Sequence, residues 1–257
     1  MLAINLQGKI ALVVGGSRGI GGAVTETLAQ AGSVVIFTHM DPPPLHGDID
    51  KLVARIQEKG GQATAVFLDA CDAVGTASLV DRTIQRYGRI DILVSNVGQN
   101  VARPVENVTD EEWRRFIDIN LTSAFNCVRA VLPHMVKAEY GRIILIGSAV
   151  IFAGGGGAID YGAGKAGLTG MMTYLAKEYT RKGIVTNIVH PCLIDTDLLR
   201  KRYSSEAARA ELVSQVPVGR LGTPEDVARI VAFLASPFGD YVCAQSIIAD
   251  GGRTFFK

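Results

Sequence analysis

Three side chains within eighteen residues carry groups that can exchange a proton with an oxygen atom. Ser148 offers a hydroxyl, Tyr161 follows thirteen residues later with a phenol, and Lys165 follows four residues after that with an amine. Residues i and i+4 of a helix share a face, so Tyr161 and Lys165 point into the same space if their segment is helical. A phenol ordinarily titrates at about pH 10, too high for easy proton exchange at neutrality. An ammonium one turn away favours the phenolate and is expected to lower that value, each unit being worth about 1.4 kcal/mol. Ser148 would hydrogen-bond the reacting oxygen and hold it near the phenol. The intervening "AVIFAGGGGAID" (149–160) gives the chain room to turn back. A tyrosine alone in a helix is an ordinary residue; the three together point to acid–base chemistry on an oxygen.

The elements that must position these groups are legible as an alternation. Apolar, β-branched runs at 9–16, 33–39, 63–70, 90–98, 141–148, 184–191 and 245–252 read as strands. Their hydrophobicity is continuous, as in strands buried on both faces of a parallel sheet. Helical patterns lie between them, near 19–31, 50–59, 73–87, 110–138, 161–182 and 224–235, the last with Thr223 as N-cap and Pro224 at its first position. The alternation predicts one α/β domain over 1–257, a doubly wound parallel β-sheet of the Rossmann type with helices on both faces, binding ligands beyond the carboxyl ends of its strands. "DPPPLHG" (41–47) reads as a rigid loop, and about 193–219 as a long connection that covers the substrate.

The first turn of this plan is rich in glycine. "VVGGSRGIGG" follows the first strand and opens the first helix, with Gly15, Gly19 and Gly21 spaced G-x-x-x-G-x-G. Such a turn lets the backbone approach a ligand closely and aims free N–H groups at a pyrophosphate. Farther on, Asp69 at the end of the third strand is placed to accept from an adenine amine or to cap the next helix, and "SNVG" (95–98) closes the fourth strand where a ribose would lie.

Composition narrows the class. The 257 residues are 48% hydrophobic, enough for a large core, and the net charge of +1 implies no polyelectrolyte partner. Basic residues gather at "RKRY" (200–203), a pattern that serves as a solvated helix face or as a grip on an anionic substrate. Cys71, Cys127, Cys192 and Cys243 are far apart and form no CxxC, which argues against a metal site or disulfide framework and fits a cytoplasmic location. The start lacks the basic and apolar regions of a signal peptide, and no apolar run reaches membrane-span length.

With these pieces in order, the sequence resembles the short-chain dehydrogenase/reductase family over essentially its whole length. The family's T-G-x-x-x-G-x-G is matched by "VGGSRGIG", with Val14 for threonine; its N-N-A-G by "SNVG"; its helix asparagine by Asn120 in "IDINLTSAF"; its Ser and Y-x-x-x-K by Ser148, Tyr161 and Lys165. Its P-G is matched by "HPC", with Cys192 for glycine. "PVGRLGTPEDVA" and "YVCAQSIIADGG" are similar to the bacterial 3-oxoacyl-[acyl-carrier-protein] reductase branch. The resemblance implies hydride transfer between a nicotinamide cofactor and a carbonyl or secondary alcohol. It makes Tyr161 the acid/base and Ser148 the substrate anchor. Lys165 would also hold the nicotinamide ribose, and Asn120 would position a water that links Lys165 to solvent. The cofactor would lie along Gly15, Ser17, Arg18, Gly19, Ile20, Gly21, Thr38, His39, Asp69, Ala70, Asn96, Val97, Gly98, Tyr161, Lys165, Pro191, Ile194 and Thr196. It also implies a homotetramer assembled through 110–138 and 161–182, with no nucleic acid or membrane as partner.

Cofactor choice turns on the end of the second strand, where an acid binds the ribose hydroxyls and repels a 2′-phosphate. The family's acidic position falls on His39, between Thr38 and Met40, and Arg18 could meet a phosphate. NADP(H) is favoured, with NAD(H) as the alternative because Asp41 stands only two residues farther. Val150, Phe152, the glycines 154–157 and 193–203 are candidate pocket walls, while Met171, Met172 and Tyr174 suit core or subunit contacts. Carrier-dependent reductases typically place a basic residue where this chain has Glu139, which weakens the case for a carrier-bound substrate and leaves a free ketone, a sugar-like or a CoA-linked carbonyl open. A non-catalytic dinucleotide-binding regulator, and an epimerase or dehydratase on the same scaffold, are the alternative functions.

Overall fold

The computed structural model describes residues 3–41, 45–154 and 157–255. Seven strands, β1 (Ile10–Val14), β2 (Val34–His39), β3 (Gln62–Phe67), β4 (Ile92–Ser95), β5 (Gly141–Ile146), β6 (Ile184–Pro191) and β7 (Ser246–Ala249), form one parallel sheet in the order β3-β2-β1-β4-β5-β6-β7. Every residue of β1, β4, β5 and β6 is buried, which is why these runs are continuously apolar. The order reverses between β1 and β4, and this switch point opens a crevice at the carboxyl ends of the strands.

The helices are α1 (Gly19–Gln30), α2 (His46–Glu58), α3 (Ala73–Tyr87), α4 (Asp110–Ile117), α5 (Ser123–Lys137), α6 (Val150–Ala153), α7 (Ile159–Tyr179), α8 (Asp197–Arg202), α9 (Glu206–Ser214) and α10 (Pro224–Ala235). They cover both faces. Val24, Leu28, Leu52, Ile56, Val227 and Val231 from α1, α2 and α10 pack on one side. Leu79, Val131, Met135, Leu168, Met172 and Leu175 from α3, α5 and α7 pack on the other. Among the described residues no helix is long and apolar enough to cross a membrane, and no group of three or more His, Cys, Asp or Glu is placed to hold a metal ion.

The elements differ from the sequence expectation where local signals were weak. The stretch 110–138 is two helices joined by a π-helical turn, Asp118–Thr122, and it is this turn that carries Asn120. The connection at 193–219 contains α8 and α9, each started by a hydroxyl cap: Thr196 accepts from the N–H of Leu199, and Ser205 from that of Ala208. Pro42–Pro44 of the expected rigid loop lie outside the described residues, and α2 already begins at His46.

Candidate active site

The glycine turn after β1 is shaped to take an anionic ligand. Gly15 and Gly19 have φ of +75° and +54°, the left-handed region that favours glycine. A Cβ on Gly21 would lie 1.9 Å from the Gly15 carbonyl oxygen, so only glycine lets α1 start this close to β1. Arg18, the N-cap of α1, makes no side-chain cap bond, which leaves first-turn N–H groups to receive a phosphate. The turn is braced from its flanks. Gly15 N–H donates to Thr38 Oγ1 at 3.0 Å and Gly16 N–H to the Thr38 carbonyl at 2.9 Å, while Asn96 Nδ2 donates to the Gly15 carbonyl at 2.8 Å. Thr38, one strand away, therefore supplies the bracing hydroxyl that Val14 lacks.

The end of β2 does present a carboxylate. Asp41 is buried, accepts a hydrogen bond from the Ser17 hydroxyl and pairs with Arg18 Nη2 at 3.1 Å. Arg18, expected to wait for a phosphate, is thus already engaged. His39 stacks edge-on against Phe67 and His46 at 5.7 and 5.6 Å, and burial pushes its imidazole below the ordinary value. Asp69 is exposed and closes its own turn by accepting the Cys71 N–H at 2.8 Å, and the cap of α3 is Asp72 rather than Asp69. The buried Ala70 follows, its carbonyl accepting from Asn126.

Ser148 stands two residues beyond β5, Tyr161 and Lys165 lie on the first turns of α7, and all three line one cavity, with Ser148 close enough to act on the Tyr161 phenol. Lys165 is buried and donates to the carbonyls of Val97 at 3.0 Å and Ile146 at 2.9 Å, tying together the ends of β4 and β5. A Cβ on Gly98 would come within 2.8 Å of this ammonium, which explains the glycine ending of "SNVG". Asn120 is buried beside them. Its Nδ2 donates to the carbonyls of Gln99 and Phe116, both at 2.9 Å, and its Oδ1 accepts the Gln99 N–H at 3.0 Å. Only the second lone pair of Oδ1 is left for a further partner.

The electrostatics correct one expectation. Lys165 does not hold the Tyr161 phenol below its ordinary value in the free protein. Burial pushes the phenol up, the hydrogen bond from Ser148 opposes this, and the nearby Cys192 adds to the rise. Burial also brings the Lys165 amine down to about 8, so its cation is less firmly held than an exposed lysine's.

A cavity of about 590 Å³ opens over these groups. Ile20, Asn96, Gly98, Ser148, Tyr161, Lys165, Pro191, Ile194 and Thr196 form one side, and Leu198, Leu199, Arg202, Tyr203, Leu212 and Gln215 of the 193–219 segment form the other. Gly15, Ser17, Arg18, Gly19, Gly21, Thr38, His39, Asp69, Ala70 and Val97 do not line it and instead follow the carboxyl edge of β1 to β4. Val150 and Gly154 are walls as expected, but Phe152 turns away and stacks edge-on against His190 at 5.0 Å. Gly155 and Gly156 lie outside the described residues. The "RKRY" cluster divides: Arg200 pairs with Asp195 at 3.0 Å, while Arg202 faces the cavity.

Three features escaped the sequence reading. His190, buried under Ser148, brings Nδ1 to 3.2 Å from the Ser148 nitrogen, and a Cβ on Gly147 would lie 2.4 Å from that Nδ1. Arg103 pairs with the fully buried Asp160, fastening the loop after β4 to the start of α7 just before Tyr161. Arg253, near the end of the chain, lines the cavity against Cys192. The only sequence signals were a charge beside Tyr161 and a histidine inside an apolar strand.

Comparison with known proteins places this geometry in context. Residues 14–254 match the family model described as enoyl-(acyl carrier protein) reductase. The 3-oxoacyl-[acyl-carrier-protein] reductases FabG of Escherichia coli and Thermotoga maritima are 39% and 36% identical over 249 residues, covering 97% of this chain and 98% and 99% of theirs. Among solved structures, a dehydrogenase/reductase from Sinorhizobium meliloti superposes with a TM-score of 0.88 at 34% identity, covering 98% of this chain and 97% of its own. A candidate NAD(P)-dependent gluconate 5-dehydrogenase from Beutenbergia cavernae, with NADP bound at low occupancy, gives 0.89 at 30% identity and covers 98% and 99%.

Proposed function

Because the chain belongs to the short-chain dehydrogenase/reductase family and is an oxidoreductase of carbonyl and secondary-alcohol groups, we propose that it works with NADP(H) and uses Tyr161 as its acid/base. The residues present fit such a cofactor: the crowded glycine turn, the uncapped start of α1 and the tied ends of β4 and β5 make a continuous cradle. When bound, the dinucleotide supplies the hydride. Tyr161 delivers a proton from its Oη to the carbonyl oxygen on reduction and takes it back on oxidation. Ser148 holds that oxygen against the phenol. Lys165 keeps a cation behind the phenol and anchors the cofactor's ribose side, and Asn120 keeps one lone pair of its Oδ1 for a water that would link Lys165 to solvent.

The observation that carries this reading is that Ser148 and Tyr161 line one cavity with Lys165, whose buried amine is fixed by the carbonyls of Val97 and Ile146. The substrate is a 3-oxoacyl-type carbonyl or another small ketone; relatives named for 3-oxoacyl carriers and for gluconate span that range. A second cofactor reading, NAD(H), is favoured by one observation, the buried Asp41 already held by Ser17 and Arg18. Exposed Phe125 on α5 and Tyr174 on α7 support a homotetramer built on those helices, and the free thiols support a cytoplasmic setting. The test is consumption of NADPH by the purified protein with a panel of ketones. Tyr161→Phe is expected to lower kcat/KM by about 100- to 10,000-fold, and a variant as active as the parent would exclude the mechanism.

A further inference from the structure

The cavity has a second pole, opposite in character to its apolar walls. Arg253 reaches it from the C-terminal turn, where Gly251 and Gly252 adopt φ of +63° and +90° and the chain doubles back. The turn is firmly built. The Gly251 carbonyl accepts the Val218 N–H at 3.2 Å, and both oxygens of Asp250 are occupied, by the N–H groups of Gly252 at 2.9 Å and Thr254 at 2.6 Å. Arg253 is therefore presented by a fixed backbone rather than by a free tail.

Its guanidinium is held by neutral groups alone. Nη1 lies 3.5 Å from the Cys192 sulfur, Nη2 donates to Gln215 Oε1 at 2.8 Å, and Nε is buried with no partner. Among the described residues no carboxylate lies within 4.0 Å of it; Asp250 is near enough to feel its charge, but both of that residue's oxygens are engaged as above. Burial keeps Cys192 protonated despite the neighbouring cation, so the thiol does not cancel the charge. Arg202 also faces the cavity, with Glu211 as the one acid on its walls among the described residues. Cys192 acts electrostatically on the Tyr161 phenol as well as touching Arg253. Tyr161, Cys192 and Arg253 line the same cavity, so one substrate can face both the phenol and the guanidinium.

We propose that Arg253 receives a carboxylate of the substrate, so that the substrate is a short oxo acid or hydroxy acid whose carbonyl or alcohol carbon faces Tyr161. This rests on the dehydrogenase reading above and narrows its substrate class. A planar guanidinium matches a carboxylate with two parallel hydrogen bonds, and a partly dehydrated site strengthens them. An uncharged acyl amide or ketone of the same shape would leave the cation unmatched.

The experiment compares matched pairs on the unaltered protein with NADPH: pyruvate, acetoacetate and 4-oxopentanoate against their primary amides. At least one acid is expected to exceed its amide in kcat/KM by about 10- to 100-fold, the range for one hydrogen-bonded ion contact. Arg253→Met should erase that preference by raising KM for the acid, and Arg253→Lys should restore part of it. Thermal melting checks that the variants fold, and the acid-against-amide comparison stands without them. If NADPH binds, as followed by its fluorescence, and no acid is preferred over its amide, the proposal is overturned. Failure to bind either NADPH or NADH would instead overturn the dehydrogenase reading beneath it.

Discussion

The Nδ1 atom of His190 lies 3.2 Å from both the backbone nitrogen and the carbonyl oxygen of Ser148, so the ring meets Ser148 as acceptor or as donor according to its tautomer, and its buried Nε2 has no partner. Burial brings this histidine down to about 4, and the positive Lys165 nearby adds to the shift. The unfolded chain takes up a proton near 6.5 and the folded one only near 4. The stability that neutral His190 contributes is therefore complete above pH 6.5 and is lost progressively as pH falls through about 4. His190→Asn retains an acceptor close to the place of Nδ1 but does not titrate. Thermal melts of the variant are expected to depend less on pH across this window, and identical slopes for variant and parent would contradict the assignment.

Lys165 combines a structural and an electrostatic role. Its amine is charged below about pH 8 and neutral above it, so activity that needs the cation falls as pH rises through that value in the free enzyme. A basic limb near pH 8 is expected in kcat/KM, which reports the free enzyme. Lys165→Met should lower kcat/KM by at least about 100-fold and, by leaving the Val97 and Ile146 carbonyls without their donor, should also reduce the melting temperature.

Asp41 and Arg18 form a charged pair just beyond β2, where a 2′-phosphate would be met. In the free protein the carboxylate holds both Ser17 and Arg18. Asp41→Asn removes the negative charge and releases Arg18, which is expected to raise the ratio of kcat/KM for NADPH over NADH by about tenfold, the effect of roughly 1.4 kcal/mol. Arg18→Ala should move the ratio the other way. Steady-state kinetics with both cofactors measure it directly.

The Arg103–Asp160 pair is a test of stability rather than chemistry. Asp160 is fully buried and its Oδ1 has no partner, so Arg103 is its one charge-compensating contact among the described residues. Arg103→Met would strand that carboxylate and is expected to cost about 3–5 kcal/mol. Arg103→Met combined with Asp160→Asn should recover much of the loss, and urea denaturation of the single and double variants gives the comparison.

The alternation of strands and helices, the glycine turn and the Ser148, Tyr161 and Lys165 set were legible in the chain by itself. Each depends on residues close together in sequence: an apolar run for a buried strand, glycine where a helix starts against a strand, and i, i+4 spacing for two side chains on one face. The hydroxyl caps of α8 and α9 were equally local and were overlooked amid polar residues. What only the tertiary structure decided joins distant positions. His190 meets Ser148 across 42 residues, Arg103 meets Asp160 across 57, and Arg253 meets Cys192 across 61. No local pattern encodes such pairings, because they arise when strand ends and loops converge at one edge of the sheet. The same holds for the Tyr161 phenol. Its position relative to Lys165 follows from helix geometry, but its acidity depends on how much water the surrounding chain removes, and packing sets that amount.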